Sequence, residues 1–303
     1  MFKYQIKMTK MQPLTETKTL LENQINNILE LEDKEFITQV DNIHKTLALI
    51  DHISDPLMIS IDDDYANDFV TYFLILYCNN GNLEKSLQIY DVIKSLIRYI
   101  ALLDRYYDMK DYDCKIRADL LFKYIMNNTN GHLRNAIKHS MDSLWTIAEF
   151  EEKLKEKMLN GKELFVKNEI RYHIMKKSSD TILYSAVLEN YIERFNPNVS
   201  QLLHYNRALL DMQDDFKDIE EDLTNRDLNI FLMSSIGIMS ISDVLNGHIN
   251  TNDVRRKSSG IILSIIMDFE TCIHGITVPK EFSFIKKLSK HYIKTLRNSI
   301  NSL

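Results

Sequence analysis

An all-α fold is predicted by three observations. Glycine and proline are scarce, 7 and 4 in 303 residues, so turns are few and the segments between them long. Apolar residues recur three and four apart over most of the chain, the spacing of one helix face. No stretch of useful length alternates apolar and polar residues, as a strand with one buried face would. The composition is 45% apolar, enough for a large core. Without an internal repeat, a low-complexity linker or a composition shift, one all-helical domain over 1–303 is expected.

Taken in order, the periodicity predicts helices over Thr15–Leu31 and Lys34–Ile53, and Pro56 in SDPLMISIDD then breaks the pattern. It resumes over Asp63–Cys78, pauses at NNGN (79–82), and runs from Leu83 to Tyr112 as a segment of about eight turns. Lys115–Met126 and His132–Met158 flank NTNG (128–131). Glu163–Phe195, Val199–Leu223, Leu228–Leu245, Val254–His274 and Glu281–Ser302 follow, separated where NPN, NGHINTND and GITVPK supply breaks.

Composition also excludes functions. Cys78, Cys114 and Cys272 are far apart and form no Cys-x-x-Cys pair, so neither a zinc site nor a disulfide framework is indicated, and a reducing cytoplasm is expected. The segment MFKYQIKMTKMQPL has no continuous apolar core, and no later stretch reaches about 18 uncharged apolar residues, so neither secretion nor a transmembrane segment is expected. A net charge of -6 argues against a nucleic-acid partner, which is held by basic surfaces.

Against this background LLDMQDDFKDIEEDL (209–223) is unusual. On a helix at about 100° per residue, with Asp211 at zero, Asp215 falls near +40°, Asp218 near -20°, Asp222 near +20° and Asp214 near -60°. ALLDRYYDMKDYD repeats the arrangement, placing Asp104, Asp108 and Asp111 on one stripe. Acidic stripes are most often solvated faces. Here each begins directly after an apolar segment expected to be buried, IRYIALL or YNRALL. Carboxylates one turn apart repel unless a cation compensates, and Mg²⁺ favours carboxylate, water and phosphate oxygens.

Those residues resemble a known superfamily. DRYYD (104–108), extended by Asp111, and DDFKD (214–218), extended by EED, look like the two aspartate-rich motifs of class I isoprenoid synthases, the trans-prenyl diphosphate synthases and terpene cyclases. In the second motif Asp211 stands where a Gln is usual and Arg226 lies near a basic position. KKSSDTILYSAV is similar to the Lys-Thr segment that contacts diphosphate in prenyl synthases, with Lys177-Ser178 at the matching place. The resemblance spans roughly 90–232. It implies a bundle of about ten helices around a central cavity, and a linear prenyl diphosphate as substrate. It also implies three Mg²⁺ ions held by Asp104, Asp108, Asp111, Asp211, Asp214, Asp215 and Asp218. Diphosphate would lie against Lys177, Ser178 and Arg226, with Asp104, Asp108, Asp215 and Lys177 carrying catalysis. A homodimer is left open.

Departures sort the members of that superfamily. No element before Asp68 resembles the Gly-Lys-x-x-Arg site for a second, homoallylic diphosphate, so chain elongation is disfavoured. Asn252-Asp253 lacks the Ser and Glu steps of the microbial cyclase motif. The Gly-rich helix break of squalene and phytoene synthases is missing from YHIMKKSSDTILYSAV. The expectation is a terpene synthase with prenyl-synthase-like metal motifs. An elongating synthase and a catalytically silent subunit are the alternatives.

Other features have a plainer explanation beside a functional one. Asp63, Asp64 and Asp68 offer a rival first motif, yet acids before an apolar run usually match a helix N-terminus. His173 could face the diphosphate or be structural. Arg255, Arg256, Lys257 and KHYIKTLR (290–297) could close over the anion or complement helix ends. Tyr72, Phe73, Tyr99, Tyr106, Tyr107, Trp145 and Tyr184 are candidates for a cation-stabilising lining, although aromatics at helical spacing are usually core.

Overall fold

The computed structural model describes residues 110–302 except 162–163, 192–195, 237, 247 and 249, residues 92–106 except 94 and 104, and scattered positions between 16 and 46. Of these residues 86% are helical and none is in a strand, so the chain is all-α. By internal packing it divides into two compact units, Met1–Arg134 and Asn135–Leu303.

In the first unit, helix α1 covers Tyr112–Asn128 and buries Cys114, Ala118, Leu121 and Ile125, which recur four and three apart. Asp111 caps its N-terminus, accepting from the amides of Asp113 and Cys114 at 3.0 and 3.4 Å. Upstream, positions 92–93 and 95–103 are helical, with Ile93 and Leu96 fully buried. The Tyr99 and Phe122 rings join that segment to α1 at 5.3 Å. The expected single helix over Leu83–Tyr112 is therefore interrupted. Lys110 has a left-handed φ of 55° and Asp111 is extended, because an aspartate side chain competes for the free amides of a following helix.

Helix α2, Gly131–Asn160, runs on into the second unit and stops at Gly161, whose left-handed φ of 60° glycine adopts without steric cost. Then come α3 (Lys167–Lys177), α4 (Asp180–Tyr191), α5 (Pro197–Lys217), α6 (Ile219–Asn225), α7 (Ile230–Ser235), α8 (Ile241–Leu245), α9 (Thr251–Gly275), a 3-10 turn at Lys280–Phe282, and α10 (Ser283–Asn301). Three expected helices are each divided in two. Glu163–Phe195 breaks at Ser178-Ser179, Val199–Leu223 at Asp218, and Leu228–Leu245 across 236–240.

Helix α5 is the centre of the second unit, packing against α10, α3, α4 and α9. Pro197 at its first turn and Asn196, which accepts from Val199 N–H at 3.2 Å, fix its start. Leu202, Leu209 and Met212 are completely buried. Polar contacts pin α5 to α10: buried Asn206 donates to the Ile285 carbonyl at 3.3 Å and accepts from Ser289 at 2.5 Å, and Gln213 donates to the Tyr292 carbonyl at 3.2 Å. Among the described residues no helix is long and apolar enough to cross a membrane.

Candidate active site

The α3–α4 break faces α5. At Ser178-Ser179 the chain turns, with Ser178 N–H bound to Ile174 O at 3.1 Å and Ser179 N–H to Lys176 O at 3.0 Å. Two serines explain the break, since their hydroxyls offer the backbone local alternatives to helix. The turn presents consecutive side chains to one face of α5. Lys177 Nζ lies 2.9 Å from Asp215 Oδ1, and Ser178 Oγ lies 2.6 Å from Asp211 Oδ2. Ser178 also lies 2.8 Å from the Ile174 carbonyl. With one hydroxyl proton to give, the shorter contact to a carboxylate is the stronger.

Asp211 and Asp215, one helical turn apart, are 2% and 4% exposed. Part of the charge that offsets their repulsion lies within the chain. Arg207, one turn before Asp211, places Nη2 3.3 Å from Asp211 Oδ1 and Nε 3.4 Å from Asp180 Oδ2. Asp215 is held by Lys177 and by the Ile230 amide at 3.0 Å. Buried Asn229 spends both amide protons here, on the Asp215 carbonyl at 2.6 Å and on Asp222 Oδ2 at 2.8 Å. Its own oxygen accepts from Phe231 N–H at 2.9 Å and so starts α7.

Proton affinities follow from this crowding. Partial burial works against the Lys177 charge, but the Asp215 and Asp211 carboxylates outweigh it and raise its pKa. Burial raises Asp180 and Asp214, and lifts Asp222 to about 6 despite the Asn229 hydrogen bond. His173, one turn before Lys177, is fully buried, and neither ring nitrogen has a hydrogen-bond partner among the described residues. Its Nδ1 lies 3.9 Å from Glu151 Oε1. Burial, then the nearby Lys177 charge, depress its pKa to about 4, so it is neutral at physiological pH.

No family model, curated protein or solved structure matches this chain.

The expected second motif does not form one stripe. Asp211, Asp214 and Asp215 lie on α5, exposed Asp218 ends it, and Asp222 lies on α6. Asp214 pairs at 3.3 Å with Lys217, a well-exposed side chain. Asp214 and Asp218 are thus more open to an incoming cation than Asp211 and Asp215, which form the paired floor behind them. Among the described residues no three His, Cys, Asp or Glu side chains form a ready metal cage. Mg²⁺ takes one or two carboxylates with waters and ligand phosphates instead, a donor set that these oxygens fit.

Asp104 and Asp108 lie outside the described residues, as do Asp63, Asp64, Asp68, Tyr72, Phe73 and Tyr107 and the Trp145 side chain. Asp111 does not continue a helical stripe with Asp104. It is the cap of α1, and hydrogen bonds from Cys114 hold its pKa below the ordinary value. Arg226 is exposed at the left-handed end of α6. Arg255 caps the end of α5, donating to the Phe216 and Lys217 carbonyls at 3.1 and 3.4 Å, and Arg256 pairs with Asp253 at 3.2 Å. In KHYIKTLR, Arg297 pairs with Glu270 at 2.6 Å. Tyr99 and Tyr184 are buried. Arg207, Asp180 and Asn229 are not among the residues that the sequence singles out. Only the first left a signal, its four-residue spacing to Asp211.

Proposed function

We propose that this chain is a Mg²⁺-dependent class I terpene synthase that ionises a linear prenyl diphosphate and releases a terpene hydrocarbon or alcohol plus diphosphate. The observation that carries the reading is the convergence of Lys177-Ser178, at a helix break, on Asp211 and Asp215 of α5. A lysine, a hydroxyl and an aspartate row meet where the sequence resemblance assigns them to one diphosphate site.

In this reaction the allylic C–O bond breaks, its electron pair stays on the diphosphate oxygen, and a carbocation remains. It then loses a proton to give an alkene, or takes up water and releases a proton to give an alcohol. Bound Mg²⁺ would supply charge stabilisation to the departing diphosphate; Asp214 and Asp218 on this side, and Asp104 and Asp108 by the resemblance, would hold it. Lys177 keeps its proton and has donors beyond the one given to Asp215, so it can bind the leaving oxygens. Asp215 sets the direction of that ammonium. Ser178 fixes Asp211, and the Arg207 bridge to Asp180 keeps the break in register with α5.

A second reading has its own observation. Lys177 and Arg207 already neutralise Asp215 and Asp211, as a structural network in a silent prenyl-synthase-like subunit would require. A third, chain elongation, lacks a cationic site for a second diphosphate in the sequence. Incubation with C10, C15 and C20 prenyl diphosphates and Mg²⁺, with and without isopentenyl diphosphate, separates the three. The synthase releases diphosphate and an extractable terpene from one substrate alone. Isopentenyl incorporation selects the elongase, and no turnover with any chain length selects the silent subunit.

A further inference from the structure

Towards the N-terminus of α5, that helix and α4 line a cavity of about 400 Å³. Its residues Ser200 and His204 lie within about 20° of Asp211 around the α5 axis, and His204 is two turns, or about 10 Å, from Asp211 along it. The cavity therefore continues the wall that carries the acidic row. Between the two levels that wall holds Arg207 and Asp180, already paired with each other.

Six of the eight lining residues have polar side chains, and none is a lysine or arginine. Such a lining suits neither a bound anion nor a carbocation that must be kept from water. Two of its polar groups are unused. His204 Nε2 lies 2.7 Å from the Met175 carbonyl, so it carries the ring proton, and Nδ1 keeps a lone pair with no partner among the described residues. Burial lowers the His204 pKa, which leaves the ring neutral at physiological pH. The Ser200 hydroxyl, one turn away, also lacks a partner among the described residues. With nothing to hold its rotamer, it can turn to the cavity that the residue lines.

We propose that His204 is the general base for a water captured in this cavity, so that the synthase releases an alcohol rather than a hydrocarbon. This rests on the function proposed above. Ionisation leaves the charge at C1, beside the diphosphate, and ring closure carries it away. The π pair of the distal double bond forms a C–C bond to C1 and leaves a tertiary cation at the far end of the chain. A water whose hydrogens are accepted by His204 Nδ1 and Ser200 Oγ keeps an oxygen lone pair for that carbon. Its oxygen forms the C–O bond, one proton passes to Nδ1, and the imidazolium returns that proton to solvent. Prenyl diphosphate and water thus give a cyclic alcohol and diphosphate.

Nitrogen-15 NMR of the metal-free protein at about pH 7 tests the base without turnover. A neutral Nε2–H tautomer of His204 is expected, and an imidazolium or an Nδ1–H tautomer overturns the proposal. With C10, C15 and C20 prenyl diphosphates, Mg²⁺ and oxygen-18 water, wild type is expected to release a labelled terpene alcohol. His204→Gln keeps an amide donor for the Met175 carbonyl and removes the base, so the alcohol-to-alkene ratio should fall at least about tenfold. Ser200→Ala removes a hydroxyl that bonds nothing in the fold and should lower the ratio about threefold. Unlabelled alcohol, or a ratio unchanged in both variants, overturns the proposal, as does a uniform loss of both products in His204→Gln. Diphosphate release with hydrocarbon as the sole product overturns it and leaves the synthase standing. No release from any chain length ends both.

Discussion

Lys177 and Asp215 meet at 2.9 Å across two helices, and the lysine is 36% exposed while the aspartate is 4% exposed. The asymmetry matters because the carboxylate is fixed, with the Ile230 amide on its other oxygen, whereas the ammonium still reaches solvent. A charge anchored at one side and open at the other is what an anion-binding lysine needs.

Replacing that lysine separates anchoring from chemistry. Because Lys177 is partly exposed, solvent screens the pair, and Lys177→Ala is expected to cost about 1–3 kcal/mol in urea unfolding. Turnover of a prenyl diphosphate should fall at least about 100-fold, as should that of Asp215→Ala. Undiminished turnover in Lys177→Ala would remove the lysine from the site.

Arg207 presents a harsher case. It is 13% exposed and bridges Asp180 and Asp211, so Arg207→Leu strands two buried carboxylates and should destabilise by about 3–5 kcal/mol. Adding Asp180→Asn and Asp211→Asn removes those charges and should recover most of the loss. A triple variant no better than the single one would mean that the arginine acts through packing.

The pH dependence has two opposing components. His173 has a folded pKa of about 4 against an ordinary 6.5, so the unfolded chain binds more protons between these values. Its contribution is complete above about 6.5 and is lost as pH falls towards 4, on the order of 3 kcal/mol. Asp222 is raised from 3.8 to about 6, so the folded chain binds the extra proton there and gains stability as pH falls through 6. Denaturant melts from pH 7.5 to 4 should show His173→Gln flattening the acid limb and Asp222→Asn steepening it. Parallel curves for the two variants would contradict the assignment.

Metal linkage should be visible without turnover. Mg²⁺ with inorganic diphosphate is expected to raise Tm by mass action, and Asp104→Asn or Asp215→Asn should reduce that shift. Equal shifts in wild type and both variants would reveal a general salt effect.

The helical class was legible from period and from the scarcity of glycine and proline, and α2, α9 and α10 lie within a few residues of their expected spans. The internal breaks were not. Ser178-Ser179 and Asp218 carry no proline or glycine, and apolar period runs straight through them. At Ser178-Ser179 the local hydroxyl alternatives are joined by a tertiary contact, Ser178 to Asp211 on another helix. Asp211 and Asp215 were legible as a pair, because spacing alone puts them on one face. Their surroundings were harder to see, since Asp180 reaches Arg207, and Asn229 the Asp215 carbonyl, only once α4 and α7 have folded against α5.

Asn229 is an isosteric weak point of the region. Its amide lies between the backbone carbonyl of Asp215 and the carboxylate of Asp222, two acceptors that tolerate a donor and nothing else. Hydrolysis of that amide to Asp changes the shape by almost nothing and replaces two donors with a negative charge facing both acceptors. Chemical ageing at this one side chain would therefore act as a built-in expiry, loosening the start of α7 and the end of α5 together while every other residue stays intact.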